Sequence, residues 1–308
     1  MNLQCIPVSS MSKIFPDGQG LSPLKNTVLS GLRGEILSFQ IACRWGGAWR
    51  GFGQVRVTSP ISSSVRVREV RLSPSRYPCH TGPNRSDSGY LRKEPGLYPD
   101  RLSDIPSCGF PLVSDQWTCL WVDIDLPEDS TPGEYPLQFL VSDGQDESVQ
   151  LSLTCRILDA VLPKLPIPHT EWFHSDCLAN YYGVEIFSES HWRTIENFVR
   201  CAAKYGCNML LTPVFTPPLD TAVGGERPTV QLVDVELSQG EYRFGFEKFR
   251  RWVNMALDCG MEYIEISHLF TQWGAKSAPK IMATVDGQYK QLFGWDTDAS
   301  GKEYQNFL

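Results

Sequence analysis

A chain of 308 residues with 42% hydrophobic content carries enough apolar surface for a substantial core, and its length favours two domains over one. A formal net charge of −7 without any clustered Lys/Arg run excludes a surface that tracks nucleic-acid phosphates, since that affinity comes from basic residues displacing counterions. Met1–Ser12 shows no basic cluster followed by a long apolar run, so neither a leader nor a membrane span is expected; the chain reads as cytoplasmic, with a neutral or polar small ligand as its partner.

From the amino terminus to about residue 160, short alternating or apolar runs are separated by Gly, Pro, Ser and Asp. Leu37–Arg44, Gln54–Thr58, Val65–Leu72, Cys119–Leu126, Tyr135–Ser142 and Ser148–Leu158 read as strands, and Asp143-Gly144 sits between the last two as a hairpin turn would. Strands with no helix between them predict an antiparallel β-sandwich. Cys79–Gly109 holds Gly82-Pro83, Glu94-Pro95-Gly96, Tyr98-Pro99 and Ile105-Pro106 and lacks any period, so it reads as a long excursion loop. Such a loop docks on a neighbour, lines a cleft or simply covers surface. The ten cysteines show no Cys-x-x-Cys spacing, and several fall in apolar segments where a thiol packs as a small hydrophobe, so they are expected reduced and buried, with a zinc or redox site as the alternative.

Residues 161–168, Val-Leu-Pro-Lys-Leu-Pro-Ile-Pro, form a stiff proline-punctuated linker between a domain at 1–160 and a second at 169–308. The pattern then changes to alternating strand and helix. His169–His174 reads as a strand and Ser190–Tyr205 as a helix with Trp192, Ile195, Phe198, Val199 and Ala202 on one stripe, capped by Ser188 or Ser190 and ended by Gly206. Asn208–Phe215 is the next strand. Val230–Glu236 and Tyr242–Phe244 form a hairpin, Phe246–Cys259 a helix, Tyr263–Leu269 a strand, and Ile281–Val285 with Tyr289–Phe293 a hairpin turning at Asp286-Gly287. Ser300 and Glu303 have the spacing of a capping box, which predicts a helix starting there. Three strands and their helices are too few to close an eight-stranded barrel, so the second half is either the opening of a barrel or a small mixed α/β domain.

Arg33-Gly-Glu35 with Ser38-Phe-Gln40, Trp121-Val-Asp-Ile-Asp-Leu-Pro127 and Pro132-Gly-Glu-Tyr135 resemble the N-terminal domain of glycoside hydrolase family 123 relatives. Glu171-Trp-Phe-His-Ser-Asp-Cys-Leu178 is similar to the first barrel strand of that group, and Val233-Asp-Val-Glu236, Tyr242-Arg-Phe244 and Ile266-Ser-His-Leu-Phe-Thr-Gln-Trp-Gly274 continue the likeness. The resemblance implies a sandwich followed by the first part of a (β/α)8 TIM-type barrel, and a glycan containing N-acetylhexosamine as partner. It implies a retaining β-N-acetylgalactosaminidase-type reaction, in which the substrate's 2-acetamido oxygen attacks the anomeric carbon, an Asp stabilises the oxazolinium and an adjacent Glu protonates the leaving oxygen. In the family that Asp-Glu pair ends the fourth barrel strand. No residue of this chain matches it, so the chain as it stands is expected to be inactive; the alternative is a non-catalytic glycan-binding or interaction protein.

Barrel sites collect at the carboxyl ends of strands, which selects few residues here. Alternation along the first strand puts Trp172, His174 and Asp176 on one side, an aromatic platform with an imidazole and a carboxylate, and these residues contact a sugar, support the fold or bind a metal. A zinc site needs a further ligand that the sequence does not place, so no metal and no cofactor are called. His268, at the end of the third strand, and Trp273 beyond it suit the polar edge and apolar face of a pyranose, although Trp273 equally suits a domain seam. Asp296, in Gly294-Trp-Asp-Thr-Asp298, completes the candidate substrate-binding set, with solvation before a helix as its plainer role.

Overall fold

Alternating Val, Leu, Ile and Phe give each strand of the first half one apolar face, and two such faces bury each other. The computed structural model describes residues 2–48, 51–79, 89–219, 221–271 and 274–308. It divides into two units, Met1–Pro163 and Lys164–Leu308. The first holds β1 (Leu3–Ser9), β2 (Val28–Arg33), β3 (Ile36–Trp45), β4 (Gly51–Thr58), β5 (Val65–Ser75), β6 (Gly96–Asp104), β7 (Phe110–Leu112), β8 (Trp117–Asp125), β9 (Gly133–Ser142) and β10 (Ser148–Val161). They form two five-stranded sheets, ordered β1-β3-β8-β5-β6 and β2-β10-β9-β4-β7. Phe39, Ile41, Leu120 and Val122 of one sheet share a core with Leu137, Phe139, Val141 and Leu153 of the other, and Phe39 meets Phe139 edge-on at 5.6 Å. Each such side chain stabilises the fold by about 1.5–3 kcal/mol through burial.

Two expectations for this unit are corrected. The second sheet is not wholly antiparallel, because β2 runs parallel to β10. The two strands are remote in sequence, so no hairpin dictates their relative direction. The stretch expected as an unbroken excursion loop contains β6, which pairs with β5 from Arg68↔Asp104 to Ser75↔Gly96. Pro99 hid this strand from a pattern reading. It is tolerated because β6 is an edge strand and the register shifts between Arg71 and Leu72, beside Pro99.

The family-like residues of this unit are structural. Asp123, only 5% exposed, accepts hydrogen bonds from Ser38 Oγ at 2.6 Å and Trp121 Nε1 at 2.7 Å and pairs with Arg68. Glu35 caps its own turn by accepting from the Leu32 amide at 2.8 Å. A carboxylate buried on a sheet is retained only where donors of this kind replace its water.

The second unit holds α1 (Ser175–Tyr182), α2 (Glu189–Lys204), β11 (Met209–Thr212), β12 (Asp234–Ser238), β13 (Glu241–Gly245), α3 (Glu247–Asp258), β14 (Tyr263–Ile266), β15 (Ile281–Val285), β16 (Gln288–Phe293) and α4 (Lys302–Phe307). β11 and β14 pair in parallel with α3 in the connection between them, the arrangement that alternating strand and helix patterns produce. Ser188 caps α2 by accepting from the His191 amide at 3.3 Å, and Trp192, Ile195 and Val199 face inward. On α3 the buried positions are Trp252 and Ala256, with Phe249 packed beside them, whereas Leu257 is exposed. Both hairpins form, with positive φ at Gln239 and Gly240 and at Asp286 and Gly287, as type I′ turns require. They join into one four-stranded sheet through a parallel contact of β12 with β15, Glu236 opposite Thr284 and Leu237 opposite Val285.

Here too the structure differs from the sequence reading. Residues 169–174 are irregular rather than a strand, and Ser175 opens a helix. Among the described residues their ladder-like contacts are at one end, where the Asn208 and Met209 amides both donate to the His169 carbonyl. The capping box does not form either: α4 starts from Gly301 without a side-chain cap, because the Ser300 hydroxyl donates to Asp298 Oδ1 at 2.7 Å. Among the described residues the strands make a parallel pair and a separate mixed sheet, not a closed barrel.

Candidate substrate site

The carboxyl ends of β11 and β14 converge with the irregular segment 169–174. Thr212, the last residue of β11, is fully buried; its hydroxyl accepts from Trp252 Nε1 at 3.1 Å and donates to the Leu210 carbonyl at 3.2 Å, fixing α3 to the strand end. Beyond β14, Ser267 is buried and its amide donates to the Thr212 carbonyl, extending the pairing by one residue. Tyr304 of α4, wholly buried, donates its hydroxyl to the Leu269 carbonyl at 2.5 Å, and burial pushes its phenol up to about 12. The loop carrying His268 is thus held from both ends.

Three polar or aromatic side chains meet there. Trp172 donates its indole N–H to Glu265 Oε2 at 2.7 Å, and its ring lies edge-to-face with the imidazole of His268, centroids 5.6 Å apart. Trp172 is 47% exposed, so an aromatic surface remains open while its one polar atom is satisfied. That is the division of labour by which an indole meets the C–H face of a sugar.

Asp176 is elsewhere in character. In the first turn of α1 it is 3% exposed and forms a two-bond ion pair with Arg227, Nε to Oδ2 at 3.1 Å and Nη2 to Oδ1 at 3.0 Å. Arg227 also donates to the Leu219 carbonyl at 2.7 Å, so the pair ties Leu219 to the helix. Beside it a space of about 20 Å³, between Thr216, Arg227, Thr271, Lys280 and Trp295, has room for one water rather than a sugar. His174 is the N-cap residue of α1. Asp296 is exposed in the turn after β16, Trp295 beside it donates to the Gly225 carbonyl at 3.0 Å, and Trp273 lies outside the described residues. Of the candidate set, then, the structure brings Trp172 and His268 together; Trp172, His174 and Asp176 do not share a strand face, because the strand that would align them is absent. Sequence reasoning missed Arg227, which sits in a loop without period, 51 residues from its partner. The buried His191 also escaped notice: its Nδ1 accepts from the Phe187 amide at 2.9 Å, which leaves Nε2 to donate to the Ser175 carbonyl at 2.8 Å. Among the described residues no three His, Cys, Asp or Glu side chains cluster as a metal site would need.

Residues 172–308, which begin at the Trp172 platform, match the model of the glycoside hydrolase 123 catalytic domain. Over that stretch the chain is glycoside hydrolase 123-like. Its fold superposes on a solved family 123 glycoside hydrolase from Clostridium perfringens, described in work on glycolipid glycan hydrolysis, with a TM-score of 0.72 at 13% identity, covering 99% of this chain and 54% of that one. The glycoside hydrolase 123-like chain therefore spans about half the length of that structure. A macrocyclization catalyst of alchivemycin A biosynthesis (12% identity, 54% of this chain, 93% of that chain, TM-score 0.26) overlaps it too little to carry any argument. A cohesin–dockerin complex from Clostridium thermocellum (12%, 51% and 100%, TM-score 0.23) carries none either. No curated protein matches the sequence. No described helix is long and apolar enough to cross a membrane.

Proposed function

We propose that this glycoside hydrolase 123-like chain grips a glycan containing a β-linked N-acetylhexosamine, and that the parallel pair β11–β14 is the opening of a (β/α)8 barrel. Parallel sheets are ordinarily covered on both faces. β14 instead leaves Tyr263 and Ile266 39% and 46% exposed, which favours further parallel strands beside it in the working protein. The single observation that carries the binding reading is the Trp172–Glu265–His268 group at the carboxyl ends of the parallel strands. In it the indole supports the apolar face of the ring, the carboxylate of Glu265 accepts hydroxyl protons and His268 contacts the ring's polar edge.

The reaction the reading implies is substrate-assisted hydrolysis, with the acetamido oxygen as nucleophile and an adjacent Asp-Glu pair as stabiliser and acid. Lys164–Leu308 contains no adjacent Asp and Glu, so the 308-residue chain is expected to bind without turnover. The same observation favours a second reading, a glycan-binding protein that does not hydrolyse. Calorimetry of the folded chain against N-acetylgalactosamine should give saturable heat that Trp172→Ala weakens at least tenfold, and absence of heat would remove both readings. Release of nitrophenol from nitrophenyl N-acetyl-β-galactosaminide by the same chain would contradict the expected lack of turnover.

A further inference from the structure

The first unit carries a second concavity that none of the preceding chemistry uses. At the open end of the two sheets a pocket of about 380 Å³ lies between β5, β7 and the start of β8. Its size is at the lower end of the ~300–1,000 Å³ range of small-ligand pockets, room for one sugar ring. Val65, Val67 and Glu69 alternate along β5, and the first two pack on the core. Glu69 continues that row, yet it is a carboxylate, 6% exposed, and it lines the pocket.

A carboxylate in a core row is costly, and an apolar residue there would stabilise the unit more. Its pairing with Arg71, Nε to Oε2 at 3.2 Å, lowers that cost, and the Arg71 side chain remains 39% exposed at the pocket wall. The rest of the lining includes apolar Trp117, Leu72 and Pro106, together with the exposed Gln116. The Glu69–Arg71 pair sums to no net charge, which disfavours an anion or a cation. It offers acceptor oxygens and guanidinium donors a few ångströms apart, the pattern that neighbouring hydroxyls satisfy.

We propose that this pocket is a binding site for a neutral pyranoside. The sugar's hydroxyls bond to Glu69, Arg71 and Gln116, and its C–H face lies against Trp117. The site belongs to the first unit and does not rest on the hydrolase reading of the second.

The test is a nitrogen-edited NMR titration of the full 308-residue chain with methyl β-galactopyranoside, methyl β-glucopyranoside and methyl N-acetyl-β-galactosaminide, following the Trp117 indole N–H. At least one glycoside should shift that resonance saturably. Glu69→Gln should weaken the response about tenfold, as loss of a charge-assisted hydrogen bond does, and Trp172→Ala should leave it unchanged. Should Glu69→Gln fail to fold, Gln116→Ala, at an exposed position, decides the matter with an expected weakening of about threefold. A Trp117 resonance that no glycoside moves overturns the proposal. So does one that moves with glycine, a zwitterion matched to a charged pair, and not with the glycosides, or one that Trp172→Ala abolishes.

Discussion

Replacing Arg227 by Ala removes four hydrogen bonds at once, two to Asp176, one to the Leu219 carbonyl and a longer one to the Cys177 sulfur. The side chains of the pair are 11% and 4% exposed, so the carboxylate left behind is not rehydrated where it stands. Breaking a buried pair from one side costs about 3–5 kcal/mol, against nearly nothing for a surface pair. With a urea m-value of roughly 2 kcal/mol/M, the unfolding midpoint of the second unit should fall by about 1.5–2.5 M at constant m. Urea titrations followed by tryptophan fluorescence, run on the wild type, Arg227→Ala and the double replacement Arg227→Met with Asp176→Leu, measure this directly. The double variant should recover most of the loss, because it removes the stranded charge together with its partner. A single-variant loss under about 1 kcal/mol, or a double variant as unstable as the single one, would refute the assignment of Asp176 and Arg227 as a buried structural pair.

Tyr304→Phe strands the Leu269 carbonyl and should cost about 1–2 kcal/mol, with faster amide exchange in residues 267–271 as the local readout. Glu147 accepts from the Leu3 amide at 2.9 Å, the main cause of a carboxyl held below its ordinary 4.5, and from the Asn2 amide at 2.6 Å. Its contribution is therefore complete above about pH 4.5 and is lost as the pH falls through the lower folded value. Thermal unfolding between pH 6 and pH 3 should show a steeper acid decline for the wild type than for Glu147→Gln. The thiol of Cys119, pushed up to about 12 by burial, should resist iodoacetamide at pH 8 in the folded chain, while the exposed Cys108, Cys177 and Cys201 are alkylated, as peptide mass spectrometry would report.

How much of this was legible depends on whether the information was local. The Val- and Leu-rich strands β3, β5, β8, β9 and β10, the capped helix α2 and the Asp286-Gly287 hairpin are written in alternation, period and turn chemistry, each within about a dozen residues. β6 was not, since Pro99 is permitted only by its position at a sheet edge, a fact about neighbours. The segment 169–174 misled for the converse reason. His-Thr-Glu-Trp-Phe-His has strand-forming residues, but beyond His169 no described strand takes up its ladder, and the helix begins at Ser175. That one difference moves Asp176 from an imagined strand face beside Trp172 into a buried pair with Arg227, which no pattern announces.

The strand-end argument behind His268 used only where the chain leaves β14, and Thr212, Ser267 and Tyr304 hold that exit in place. Side chains placed by such pinned exits can be varied by loop sequence without disturbing the strands. Glu265 marks the limit of that freedom. It is a strand residue, fixed by the β11 pairing, and its carboxylate holds the indole of the irregular segment, so Glu265→Gln should preserve the platform while Glu265→Ala should release it. A glycan response lost equally in both variants would mean that the negative charge, and not the orientation of Trp172, is what the site requires.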